Sequence, residues 1–281
     1  MPVKAMVLAD FLRARRGQLT PQDVGIAPEP GRRVRGLRRE EVAERASISV
    51  EYYVRLEQGR PHQMSEQVLV ALAEALRLDG TSREYMYRLA LPSPSDAWSS
   101  SLAQIGPVIP KLLQQWEHTP AKVFDRHQDI LYANDLASAL SPGYVMPDKN
   151  VVLNVFTATE PQRVNPAWRA TARISVAALR FYGDPMSPRL HEIVGELSLR
   201  DKDFREMWAD HEVSPFTSGT APNHVPGFGW VDLRWQIFEL PGGHFLHVAL
   251  FEPNTRAAAS MEFLTAALRA ERLTGAPSAT P

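Results

Sequence analysis

Between residues 38 and 55 the chain sets out side chains suited to one kind of chemistry. Arg38, Arg39 and Arg55 accompany Val50, Glu51 and Tyr52. A guanidinium is a planar, permanently charged fork that fits two phosphate oxygens or the outer edge of guanine. The surrounding charge agrees. Residues 1–60 hold twelve Lys/Arg, eleven of them Arg, against eight Asp/Glu, a net charge of +4. The other 221 residues carry 19 basic and 24 acidic groups, a net of −5. A basic first module on a mildly acidic remainder suits a polyanion binder joined to something else.

Other chemistries find little support. The 281 residues contain no cysteine, which excludes disulfides, thiolate metal sites and thiol catalysis. Of eight histidines, His244 and His247 fall in one expected strand, where a period of two sends them to opposite faces and away from a shared metal. His191, His211 and His224 read as helix-surface or strand-edge residues. Gly-x-Ser-x-Gly, P-loop and Gly-x-Gly-x-x-Gly patterns are missing. The expectation is a protein without catalysis, metal or cofactor. No apolar run approaches the ~20 residues of a membrane span, and the start lacks a signal-peptide pattern, so a cytoplasmic setting without membrane is expected.

The elements that must position the arginines follow from spacing. Residues 5–16 are helical, and 17–36, rich in Gly and Pro, form a loop. Residues 37–46 form a helix with Leu37, Val42, Ala43 and Ala46 inward. Ser49 caps a helix over 50–58 that Gly59 and Pro61 end. Further helices begin at Ser65 and span Thr81–Ala90. Pro92-Ser93-Pro94-Ser95 marks a boundary, giving a five-helix domain over 1–91 and a linker over 92–103. From 104 to 273 a second domain follows: a helix over 104–116, a hairpin of 121–125 with 130–133, and a short helix capped by Asn134. Helices are then expected at 149–157, 166–182, 188–199 and 201–211. Strands at 217–224, 231–237 and 244–251, the last two joined by Pro241-Gly242-Gly243, precede a helix over 255–271. Residues 274–281 should fray. The fold class is α+β: a helical domain, then an antiparallel sheet covered by helices.

Val42, Ala43 and Ala46 can clasp Ile48, Tyr53 and Leu56, leaving Val50, Glu51, Tyr52 and Arg55 outward and Arg38 and Arg39 at a helix start, where backbone N–H groups favour phosphate. The run Leu37-Arg38-Arg39-Glu40-Glu41-Val42-Ala43, with Ile48-Ser49, Tyr52-Tyr53 and Leu56-Glu57-Gln58-Gly59-Arg60, resembles the Xre/lambda-repressor type of helix-turn-helix, and more narrowly the MmyB-like regulators of bacteria. Ser47 stands where such repressors usually have Gly at the turn. The resemblance implies a double-stranded DNA operator as partner. Its expected contacts are Arg38, Arg39, Ser49, Val50, Glu51, Tyr52, Arg55 and Arg60.

Val123 to Asn134, Asn165-Pro166-x-Trp168, Pro188 to Ser198 and Phe204-Arg205-x-x-Trp208 extend the resemblance to the ligand-binding half of those regulators, with a PAS-like sheet. It implies a pocket between sheet and helices for an apolar small molecule, fatty acids being the suggested class. Trp168, Ala172, Val176, Leu179, Ile193, Leu197 and Trp208 supply aromatic and small apolar surface on the covering helices. Trp235 and Phe245, with Ile237, do so on the sheet. Such stripes otherwise fill a core. Arg169 or Arg173 is either a holder for a carboxylate head group or an ordinary surface charge. The expected whole is a homodimeric transcription regulator with a sensing domain; the alternative is a second domain that docks a protein partner instead of a metabolite.

Overall fold

The computed structural model describes residues 2–27, 31–60, 64–91, 106–159, 163, 166–216 and 218–274. The expected linker 92–103 and the tail from 275 onward lie outside them. Five helices open the chain: α1 (Pro2–Gln18), α2 (Arg39–Arg45), α3 (Val50–Glu57), α4 (Glu66–Ala75) and α5 (Gly80–Ala90). Three begin where a side-chain oxygen accepts a free helical N–H. Ser49 takes that of Tyr52 at 3.1 Å, Ser65 that of Val68 at 3.3 Å, and Asp79 that of Ser82 at 2.7 Å. The inward stripes meet in one core containing Phe11, Leu12, Leu37, Val42, Ala43, Tyr53, Leu69 and Leu72. In the 17–36 loop, Gly36 lies so close to Gly17 that a Cβ there would come within 2.7 Å of the Gly17 backbone.

The α2–α3 turn shows the strain its sequence implies. Ser47 has φ 52°, a left-handed conformation that costs an L-residue roughly 1–2 kcal/mol. Glycine avoids that cost but loses about 0.5–1 kcal/mol through its freer unfolded chain. Ser47→Gly is therefore expected to stabilise the protein by about 0.5–1 kcal/mol, read as a higher midpoint in urea at unchanged slope.

The second half is built on β1 (Ala121–Asp125), β2 (Ile130–Ala133), β3 (Ser218–Val225), β4 (Gly229–Leu240) and β5 (His244–Leu250), all antiparallel in the order β2-β1-β5-β4-β3. Register fixes the faces. Lys122 pairs with His247 and Phe124 with Phe245, while Ile237 pairs with His247 and Trp235 with Ala249. These residues share the face that meets the central helices. The opposite face presents Ala121, Val123, Leu246 and Val248 to α6 (Ile109–Gln114) through Ile109 and Leu113. His244 and His247 fall on opposite faces, as period two requires.

The remaining helices are α7 (Asp135–Leu140), α8 (Val151–Val155), α9 (Pro166–Tyr182), α10 (Pro188–Arg200), α11 (Lys202–Ala209) and α12 (Arg256–Thr274). Asn134 caps α7, accepting from Ala137 N–H while its amide donates to the carbonyls of Trp116 and Thr119. Two helices are shorter than their patterns suggest. Of the expected 104–116, residues 104 and 105 lie outside the described residues and Ile109–Gln114 is helical, while the expected 149–157 is helical over Val151–Val155. The first has Pro110 at its start, and the second is capped only at Asn150. None of the described helices is long and apolar enough to cross a membrane.

Candidate functional site

Around α2 and α3 the expected DNA contacts divide by exposure. Arg39, Ser49, Glu51, Arg55 and Arg60 are exposed, and Arg38 is half-buried. Val50 and Tyr52 are half-buried and pack against the helical core. The outward set expected at Val50, Glu51 and Tyr52 is thus corrected in part. On a helix of eight residues, the side chains next to the Ser49 cap lean back over α2, and Val50 and Tyr52 carry their apolar parts with them.

One buried carboxylate organises this surface. Glu57 is 1% exposed. It accepts from Arg16 Nε at 2.6 Å, Arg16 Nη2 at 3.1 Å and Arg39 Nε at 2.6 Å. Burial alone would push the Glu57 carboxyl up, but the hydrogen bonds from Arg16 and Arg39 outweigh it and hold the group below the usual carboxylate range. Arg39 therefore reaches the surface with its Nε fixed, its guanidinium plane already oriented beside the start of α2. A second carboxylate fixes the approach to α2. Glu41 takes two hydrogen bonds of 2.6 Å from Arg32 and one of 2.6 Å from the Arg38 N–H. Led by the bond from Arg32, these contacts lower its carboxyl to about 2. Glu41 and Glu57 stand in the motif run quoted from the sequence, where neither has an assigned role.

The nine residues expected to line a ligand pocket do not share one space. Ala172, Val176, Leu179, Ile193 and Leu197 pack with Val152, Phe156, Phe204 and Met207 into a helix–helix core, with Trp168 and Trp208 at its margin. That cluster is filled. Phe156 sits edge-on to Phe204 at 5.4 Å and to Trp168 at 5.9 Å, and Phe204 stacks on Trp208 at 5.7 Å. The apolar stripe of α9 that carries Ala172, Val176 and Leu179 faces α10 and α11 instead of the sheet. Phe245 belongs to a separate cluster with Phe124, Ile130, Tyr182, Phe216 and Ile237. Trp235 stacks on His247 at 5.8 Å. Neither candidate head-group arginine is free: Arg169 lies 3.7 Å from Asp203, and Arg173 donates to Glu212 at 2.8 Å.

The two halves are joined through α9. Phe181 and Val213 belong to the core of the helical domain. Phe181 packs near Tyr85, with ring centroids 6.4 Å apart, and the Arg88 guanidinium lies 4.7 Å over its ring. Buried Arg180 stacks 3.8 Å over Trp208 and donates to the Trp208 carbonyl. Arg15 of α1 donates to the His211 carbonyl at 3.0 Å. His211 is thus a junction residue and not the surface residue expected. Burial, with Arg180 nearby, lowers its imidazole to about 4. The junction uses α1 and α5 and leaves Arg39, Glu51, Arg55 and Arg60 exposed.

Comparison with known families decides what this arrangement belongs to. Residues 105–264 match the family described as the MmyB-like transcription regulator ligand binding domain. The chain belongs to the MmyB-like transcription regulators. Residues 7–86 match a helix-turn-helix domain, which contains α2, the strained Ser47 turn and α3. No curated protein matches the chain. The regulator thus pairs a DNA-binding domain with a ligand-binding domain, in the order its charge asymmetry indicates.

Proposed function

We propose that the regulator reads an operator with the surface formed by α2 and α3 and that its second domain senses a small apolar molecule of the fatty-acid class. The observation that carries the first part is the Glu57-anchored Arg39 beside exposed Arg55 and Glu51 at one edge of a basic domain. Arg39 with Arg38 holds phosphate at the start of α2, while Ser49, Glu51, Arg55 and Arg60 meet the groove, with Val50 and Tyr52 supplying contact at its wall. A single α3 reads a half-site. A homodimer with recognition helices one turn apart, ~34 Å, fits two of them.

Arg55→Ala, together with Arg39→Ala, is expected to weaken operator binding. Each lost phosphate contact lowers the slope of log K against log salt by about 1, and a lost base contact costs about 1–3 kcal/mol. Fluorescence anisotropy on the regulator's own promoter region across a salt series measures both. Unchanged affinity and slope would remove α3 as the reading helix.

For the second domain, a specific observation favours the other reading as well. The sheet face away from the central helices exposes Trp230 by 64% and Phe238 by 50%, as a protein-docking or dimerisation surface would. Thermal shift of the purified regulator with a panel of fatty acids separates the two. Stabilisation that grows with ligand concentration supports a sensor, whereas no stabilisation by any chain length supports the docking module.

A further inference from the structure

The loop leading into α2 carries more positive charge than its own packing uses. Residues 31–36 read Gly-Arg-Arg-Val-Arg-Gly, with three arginines in four positions. Arg32 is a clip. It donates two hydrogen bonds of 2.6 Å to Glu41, one of 2.9 Å to the Val34 carbonyl and one of 2.8 Å to the Gly36 carbonyl. Its side chain is only 11% exposed. Arg33 and Arg35 do the opposite: both are exposed, with exposed Val34 between them. Among the described residues neither has a carboxylate partner.

The backbone beneath them is held at several points. Leu37 is fully buried, its N–H donates to the Arg16 carbonyl at 3.1 Å, and its own carbonyl accepts from Arg16 Nη1 at 2.9 Å. The same Arg16 guanidinium binds Glu57, which fixes Arg39. One buried network thus sets both the loop and the arginine at the start of α2. Arg35 precedes Arg38 by three residues, at most about 11 Å of chain, so the loop arginines border that same edge. Surface arginines of the second domain meet acids: Arg173 lies 2.8 Å from Glu212 and Arg200 lies 2.6 Å from Glu196. Ordering a loop costs conformational entropy at every residue, and this ordered loop presents two cations that no carboxylate among the described residues pairs. Their partner comes from outside the chain.

We infer that Arg33 and Arg35 hold phosphates of the duplex that flanks the bases met by α3, so that each half-site extends beyond the helix-turn-helix itself. The inference rests on the operator reading above and adds a second point of contact, supplied by the loop between α1 and α2. A DNA strand carries a negative charge every 3.4 Å along its axis, and two guanidiniums at alternate positions of one loop suit a run of such charges. Phosphate contacts set position and orientation and carry no sequence information. The flank is therefore held whatever its bases are, while α3 supplies the readout.

The test is fluorescence anisotropy of the full chain on its own promoter duplex and on an unrelated duplex of equal length, each across a salt series. Arg33→Ala with Arg35→Ala should weaken binding to both duplexes by at least tenfold and lower the slope of log K against log salt by about 2, one for each phosphate. The urea midpoint should stay native, because both side chains are exposed and unpaired. Arg33→Lys with Arg35→Lys should keep the slope, since an ammonium also neutralises a phosphate. Ethylation of flanking phosphates should block the native regulator and no longer block the alanine variant. Unchanged affinity and slope in that variant, while Arg39→Ala with Arg55→Ala still weakens binding, overturns this inference and leaves the reading helix in place. A loss without a change of slope, a loss confined to the promoter duplex, or identical ethylation patterns also overturn it. If neither pair of substitutions affects binding, the operator reading falls together with this inference.

Discussion

Glu57→Ala is expected to lower the stability of the helical domain by about 3 kcal/mol, a large loss for a single charged residue beside the surface proposed to meet DNA. Removing one partner of a buried ion pair leaves the other charge uncompensated, which costs about 3–5 kcal/mol. Here the stranded partner is Arg16, whose side chain is 15% exposed, so the lower end of that range applies. Arg39 is a different case. Its side chain is 48% exposed, so water screens it, and Arg39→Ala should cost less than about 1 kcal/mol. The contrast separates holding the fold from meeting DNA. Glu57→Ala should unfold the domain early in urea, whereas Arg39→Ala should fold normally and lose operator affinity. Equal destabilisation by the two substitutions would mean that Glu57 does not anchor Arg16.

The same carboxylate gives the domain a pH signature. Glu57 and Glu41 both have folded-state values below their ordinary ones. Each therefore binds fewer protons when folded than when unfolded over the acid range. Their stabilisation is fully present above the ordinary carboxylate value of about 4.3 and fades as the pH falls through the folded values. For Glu41 that window runs down to about 2. In Glu57→Gln, urea midpoints between pH 6 and pH 3 should fall less steeply than in the native regulator.

Much of this architecture was legible in the sequence because the forces that set it act over short distances. Ser49, Ser65 and Asn134 cap helices through atoms three residues away. The alternation of Val231, Leu233, Trp235 and Ile237 with polar residues marks a strand by itself. Ser47 stands out through backbone sterics alone. What sequence spacing could not supply was the pairing of distant residues. Glu57 looks like any helical glutamate until α1 brings Arg16 against it across 41 positions. Lys122 and His247 are 125 residues apart, and only the β1–β5 register makes them neighbours.

The ligand set shows the same limit from the other side. Its stripe on α9 was read correctly as apolar, but periodicity says which residues share a face and not what that face meets. Ala172, Val176 and Leu179 meet α10 and α11, and Phe181, a few residues on, meets the other domain. A helix with apolar residues on more than one side is one that joins parts.

That junction carries the second large effect. Phe181→Ala is expected to cost about 3 kcal/mol, since truncating a buried phenylalanine removes its packing and leaves a cavity. Phe181 is 4% exposed and touches Tyr85, Tyr182 and the Arg88 guanidinium. Its loss falls where α9 enters the core of the helical domain, and so on the contact that joins the two halves. Thermal unfolding followed by calorimetry should therefore change from one transition toward two, with α1–α5 melting apart from the sheet domain. The functional consequence follows from α9 itself. A ligand in the second domain can alter DNA affinity only by favouring one arrangement of the halves, and such coupling is typically worth 1–3 kcal/mol. With Phe181 truncated, α9 no longer grips the helical domain. Operator affinity should remain near native while its response to ligand shrinks toward none, measured by anisotropy with and without whichever fatty acid stabilises the native regulator in the thermal-shift panel. A ligand response of native size in Phe181→Ala would show that the coupling bypasses α9 and runs through the contacts of Arg15 and His211 instead.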